Sequence, residues 1–205
     1  LRYMNFPKTP GQCKYMLALR SPKPIVVGTG PAGSGKTMLA CHVALEHVSR
    51  FQRPRIVLTR PIVAADEDMG YLPGDMDQKM EPWTRPMYDI FEQSMTHTQM
   101  DRSITVEPLG YMRGRTFTDT LIIADEMQNS TPNQMKMLLT RIGEGTKLIV
   151  TGDLEQSDLG KDNGLENLIY KMQCQELEYI THVEMGDADI VRHPAVKEIL
   201  KVLNS

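Results

Sequence analysis

Gly30-Pro31-Ala32-Gly33-Ser34-Gly35-Lys36-Thr37 fits the spacing GxxxxGK[ST] in full. Glycines at that spacing let successive backbone N–H groups curl toward phosphate oxygens, and the N-terminus of a following helix adds partial positive charge. Lys36 then reaches the β/γ-phosphates, and Thr37 offers its hydroxyl oxygen to Mg²⁺. Met38 falls in the first turn of the helix and completes the nucleotide-binding set. A second group of residues lies far along the chain, where the apolar run Leu121-Ile122-Ile123-Ala124 ends in Asp125-Glu126. Asp125 is placed for the metal's coordination shell. Glu126 is placed to polarise a water in line with the γ-phosphate, which favours hydrolysis over transfer to a second substrate. The next apolar run, Lys147-Leu148-Ile149-Val150, ends in Thr151-Gly152-Asp153-Leu154-Glu155-Gln156. The Gln156 amide suits contact with a γ-phosphate oxygen or the attacking water.

These groups need rigid elements beneath them. Short runs rich in β-branched residues recur at Ile25–Val27, Arg55–Leu58, Ile104–Val106, Leu121–Ala124 and Lys147–Val150, and more weakly at Tyr179–Thr181. Continuous apolar runs predict strands covered on both faces, as in a parallel sheet. Between them, Met38–Val48 reads as a helix. Met135, Leu138, Leu139 and Ile142 share the helical spacing i, i+3, i+4, i+7, as do Leu165, Leu168, Ile169 and Met172. The same spacing recurs in Val196, Ile199, Leu200 and Leu203, behind Pro194. The alternation predicts an α/β fold, a mostly parallel sheet with helices on both faces. Two stretches, around Ile56 and Ile104, separate the phosphate-loop strand from the Asp125 strand. This fits a RecA-like P-loop NTPase, in which another strand lies between those two. Pro61 to Trp83 shows no period and reads as a long functional loop.

Composition narrows the class. The chain has 205 residues, with 23 Lys+Arg against 26 Asp+Glu and a net charge of −3. Such a balance gives no general sign of nucleic-acid binding, so any basic surface is local. No apolar run approaches the ~20 residues of a membrane span. Cys13, Cys41 and Cys174 are widely spaced and form no CxxC pair, which points to a reduced, cytoplasmic protein without a zinc site. One domain over 1–205 is expected, with 1–8 as an extended N-terminal segment.

Taken together, GPAGSGKT, IIADEMQNST, LTRIGEGTKLIVTGDLEQSDL and DIVRHPAVKEIL, in this order, resemble the PhoH family of P-loop ATPases. TRPIVAADEDMGYLPGDMDQKMEPWTRPMYD and PLGYMRGRTF resemble the same family's segment between the two nucleotide motifs. The domain is similar to the first motor domain of superfamily 1 helicases. The resemblance implies ATP binding and hydrolysis, contact with single-stranded RNA or DNA, and a link to phosphate starvation. It also matches Gln12 of TPGQ to a glutamine that reads adenine, and Gln156 to the motif III glutamine. Met127 and Glu155 depart from residues that are often smaller or uncharged in relatives, and the appended domains of some relatives are missing from the pattern.

A motor of this kind closes two lobes on one ATP, whereas ~200 residues supply one domain. The site is therefore expected to borrow groups from a neighbouring copy in a homo-oligomeric ring. Arg192 is the expected arginine finger, with Arg141 the alternative. The competing reading is an ATP-dependent oligomeric switch or scaffold without unwinding activity; a nucleoside kinase is disfavoured by Glu126. Arg60 reads equally as a nucleic-acid or subunit contact and as an anchor for the long loop. Trp83 reads as a core anchor ahead of a base-stacking platform. Arg113 and Arg115 read either as phosphate contacts or as a solvated turn, and Asp66-Glu67-Asp68 as a solvated acidic loop.

Overall fold

The computed structural model describes residues 6–62 and 82–205. The strands are β1 (Ile25–Thr29), β2 (Arg55–Thr59), β3 (Ile104–Val106), β4 (Thr120–Ala124), β5 (Lys147–Gly152) and β6 (Ile180–Glu184). They pair in the order β3-β2-β4-β5-β1-β6, and every pairing is parallel. All six apolar runs are therefore strands. β5 is the strand inserted between β1 and β4, which gives the RecA-like arrangement its spacing.

Strand side chains alternate between two cores. Ile56, Leu58, Leu121, Ile123 and Ile149 face one side, while Val57, Ile122, Ala124, Leu148 and Val150 face the other. The first side is covered by α1 (Pro10–Arg20), α2 (Lys36–Arg50) and α3 (Arg85–Phe91), through Tyr15, Leu39, Met87 and Phe91. On the second, α5 (Pro132–Leu139) and α6 (Gly164–Met172) contribute Met135, Leu138, Leu165 and Ile169. Each Leu or Ile buried in this way contributes about 1.5–3 kcal/mol, which is why the runs are apolar throughout. Methionine serves as core filler, as its count suggests: Met87, Met100, Met112, Met127 and Met135 are all buried.

Two short helices, α3 and α4 (His97–Ser103), lie between β2 and β3, where the apolar spacing marks no helix. Helix α5 ends at Leu139, earlier than its apolar spacing indicates. Ile142 instead bridges to Phe117, and Arg141 caps the helix, donating from Nε to Met137 O (3.1 Å) and from Nη2 to Thr140 Oγ1 (3.1 Å). Helix α7 (Pro194–Leu203) forms behind Pro194 as expected, but its apolar stripe is exposed, with Ile199 at 56% and Leu203 at 73%. Asp66-Glu67-Asp68 and most of the Pro61–Trp83 segment lie outside the described residues.

Candidate nucleotide site

In a parallel sheet every strand ends on the same edge, and the crevice there is where ligands bind. On this edge β1 ends in Thr29, β2 in Thr59, β4 in Ala124 and β5 in Gly152. The phosphate loop leaves β1 with Gly30 N–H donating to Gly152 O on the neighbouring strand (3.1 Å). Ser34 N–H donates back to Pro31 O (3.2 Å) and closes the turn. Gly33 and Gly35 take φ of +82° and +87°, a region that any residue with a Cβ enters at a cost. Helix α2 begins at Lys36, and its N-cap Gly35 offers no side-chain cap, so its first N–H groups face the loop. Lys36 is 7% exposed, and its Nζ donates to Pro31 O across the loop (3.2 Å). The Ser34 hydroxyl is buried and has no hydrogen-bond partner among the described residues. Uncapped helix donors, an ammonium held by one neutral carbonyl and an orphaned hydroxyl fit a phosphate chain.

The acidic side is built by strand register. Asp125 is 4% exposed. Its Oδ1 accepts from Thr37 Oγ1 of α2 (3.1 Å) and Thr151 Oγ1 of β5 (2.7 Å). Its Oδ2 accepts from Arg60 Nη2 (2.9 Å). Glu126 stands at φ +55°, in the left-handed region, which for a non-glycine residue is held only by its surroundings and gathers at functional positions. The Glu126 carbonyl accepts Asn129 N–H (3.0 Å), and its carboxylate is held by Gln128. That side chain is 1% exposed, donates from Nε2 to Glu126 Oε2 and accepts Asp153 N–H on Oε1 (3.1 Å). Gln128 thus ties the carboxylate after β4 to the end of β5. Hydroxyl and carboxylate oxygens from Thr37 and Asp125 are the hard donors a magnesium ion takes.

Gln12 sits differently from an adenine-reading arm. It is fully buried, its Nε2 donates to Ser34 O (2.9 Å) and Asp189 O (3.1 Å), and its Oε1 accepts Lys8 N–H (2.9 Å). Both amide hydrogens are spent, so a contact with adenine requires the amide to leave these partners. Here Gln12 is a brace between the phosphate loop and the turn after β6.

The same turn holds Asp189. Its carboxylate accepts from Thr9 Oγ1 (2.5 Å) and Gly186 N–H (3.0 Å), and from Gly11 N–H. A Cβ on Gly11 would fall 2.4 Å from the Asp189 oxygens, so only glycine admits this approach. The Thr9 hydroxyl foremost, with the two backbone donors, holds the Asp189 carboxyl below its ordinary value. A carboxylate with a lowered folded-state pKa stabilises above its unfolded pKa, and this stabilisation is lost as pH falls through the folded value. Asp189→Asn is therefore expected to destabilise the protein at pH 7 by about 1–3 kcal/mol. The gap to wild type should close on acidification below pH ~4. Thermal melts across pH check this, and identical melting at pH 7 would refute it.

The exposed residues are less defined. Gln156 is exposed, and its backbone N–H donates to Asp153 O (3.3 Å). Arg192 is exposed one residue past Val191, whose N–H donates to Gly33 O (3.4 Å), so it stands at the rim of the phosphate loop. Arg141 lies past the far end of α5, at the opposite edge of the sheet, and its guanidinium is engaged in capping. Arg60 is the Asp125 partner and lies over the Trp83 ring, 4.6 Å from its centroid. Trp83 packs partly buried against the core. Arg115 pairs with Glu107 (2.5 Å) and lies over Phe117, while Arg113 is exposed.

A family model described as PhoH-like protein matches residues 6–204. The chain belongs to the PhoH-like family. A PhoH-like protein of Bacillus subtilis (strain 168) is 43% identical over 199 residues, covering 95% of this chain and 62% of its own. Protein PhoH of Escherichia coli (strain K12) is 40% identical over 190 residues, covering 88% of this chain and 53% of its own. The PhoH-like chain described here thus spans little more than half the length of these relatives. Among solved structures, the large terminase of a thermophilic bacteriophage superposes with a TM-score of 0.56 at 13% identity, covering 94% of this chain and 49% of its own. That likeness is one of fold alone. No helix among the described residues is long and apolar enough to cross a membrane.

Proposed function

We propose that this PhoH-like chain binds Mg-ATP and hydrolyses it, as a cytoplasmic enzyme whose turnover is coupled to single-stranded RNA or DNA. The observation that supports this best is the 3.1 Å hydrogen bond from Thr37 Oγ1 to Asp125 Oδ1, which joins the phosphate loop and the acidic strand into one metal-binding pair. Magnesium held by Thr37 and Asp125 would neutralise charge on the phosphate oxygens. The loop glycines, Ser34 and the first N–H groups of α2 bind the phosphate chain. Lys36 adds its charge at the β/γ end. Glu126, oriented by Gln128, takes a proton from the attacking water. Gln156, on the exposed side of the crevice, reaches the γ-phosphate or that water once nucleotide is bound. Selection of adenine through Gln12 belongs to the same proposal and requires its brace to open.

The deciding experiment measures Mg-dependent ATP turnover with and without single-stranded RNA or DNA. Stimulation by nucleic acid supports a motor or remodeller. Turnover indifferent to nucleic acid but changing with assembly state supports an oligomeric switch. Glu126→Gln keeps the shape of the side chain but cannot take a proton. It is expected to bind Mg-ATP with near-normal affinity and hydrolyse it ~10²-fold more slowly or worse. Unchanged single-turnover hydrolysis in this variant would reduce Glu126 to a structural acid.

A further inference from the structure

The register of β2 on β4 sets Thr59 beside Ala124, so the residues that follow, Arg60 and Asp125, leave the sheet side by side. Their pair is shielded, with 30% of the Arg60 side chain and 5% of the Asp125 side chain exposed. A carboxylate buried to this degree is costly to keep ionised without a cation beside it. Yet the pair is incomplete. Arg60 engages Asp125 through one nitrogen, Nη2, while its Nε is buried with no hydrogen-bond partner among the described residues. The adjacent Thr59 hydroxyl is also buried and unpartnered among those residues. Arginine commonly grips a carboxylate with two parallel bonds, and here it uses one. The other oxygen, Oδ1, already carries the Thr37 and Thr151 hydroxyls. Oδ2, with a single donor, is therefore the oxygen with room for a metal ion, and a second cation at this carboxylate repels the guanidinium.

We propose that Arg60 is a positioning residue that holds Asp125 in place before the metal binds, and that it gives up Oδ2 when Mg-nucleotide engages the carboxylate. In leaving, Arg60 changes its stack on the Trp83 ring, 4.6 Å away. This rests on the nucleotide-site reading above. It assigns to Arg60 neither a nucleic-acid contact nor a role in the loaded site.

Trp83 is the chain's one tryptophan, so its emission reports the stack. In wild-type protein, Mg²⁺ with a non-hydrolysable ATP analogue is expected to change Trp83 emission, and the analogue with EDTA is expected not to. Arg60→Ala is expected to begin with altered emission and to show no further response. It should also bind the Mg-analogue at about twofold to fivefold lower Mg²⁺ than wild type, because the competing cation is gone. Arg60→Lys keeps the charge without the planar stack, and should retain the wild-type Mg²⁺ requirement with a weaker emission change. It also serves if the alanine variant does not fold. Three results overturn the proposal: an Arg60→Ala protein that needs as much Mg²⁺ as wild type or more, an emission change that occurs equally in EDTA, or constant wild-type emission while calorimetry registers binding. Calorimetry separates the failures. Absence of analogue binding to wild type overturns the nucleotide site itself, whereas binding without a Trp83 response overturns only the Arg60 assignment.

Discussion

Lys36→Ala is expected to abolish measurable Mg-ATP binding and turnover while leaving the fold intact. Lys36 is nearly buried, yet its ammonium meets only the Pro31 carbonyl and pairs with no carboxylate among the described residues. A charge kept out of water beside one neutral acceptor is oriented for an anion that binds there. The substitution takes away that charge and little else. Alanine is the strongest helix former, α2 is anchored by buried Leu39, Ala40, Val43 and Ala44, and the loop turn is made by Ser34 N–H and the glycines. Circular dichroism should show a wild-type melt, and calorimetry should show no nucleotide heat. A folded Lys36→Ala protein that hydrolyses ATP at the parental rate would refute the phosphate-loop assignment.

Arg192→Ala is expected to lower ATP turnover by ~10³ or more with binding retained, the loss typical of a missing arginine finger. Arg192 is exposed, and the residue before it is hydrogen-bonded to Gly33 of the phosphate loop. Arg141 caps α5 at the other edge of the sheet, which leaves Arg192 as the stronger of the two candidates. Its position at the rim lets it serve its own nucleotide or that of an adjoining copy in a ring. Mixing two inactive variants separates these. Lys36→Ala has a dead site but an intact Arg192, and Arg192→Ala has the reverse. Recovered activity in mixed assemblies places the finger in trans. Subunit exchange without recovery refutes the trans assignment, and full turnover by Arg192→Ala alone refutes the finger.

Local sequence carried the elements and much less of their contacts. The four inner strands were legible because burial on both faces demands unbroken apolar runs, while the edge strands β3 and β6 are only partly buried and carry shorter or weaker runs. The phosphate loop was legible because its backbone conformation demands glycine at fixed places. The helices α3 and α4 were not, since seven residues each hold too few turns to display a period. Helical spacing found α7 but could not say what its stripe faces, and the structure leaves that stripe exposed. Arg60 and Asp125 were each singled out, but their pairing depends on the register of β2 against β4, which no local pattern encodes. Gln128 lies inside the motif that marks the acidic strand, and its role emerges only once β5 brings Asp153 alongside. Gln12 was matched to a base-reading role, whereas its amide is held by backbone carbonyls separated from it by 22 and 177 residues of chain.

The sheet order has a consequence for synthesis. β1, which carries the phosphate loop, has no sequence-adjacent partner: Ile25 pairs with Leu148 on one side and Ile180 on the other. As the polypeptide emerges from the ribosome, the GPAGSGKT segment stays unpaired until β5 and β6 have been made. Closing such long loops costs entropy before any contact repays it, and slows folding. The nucleotide crevice can thus close only after β5 has been made, well after its glycine-rich signature has been translated.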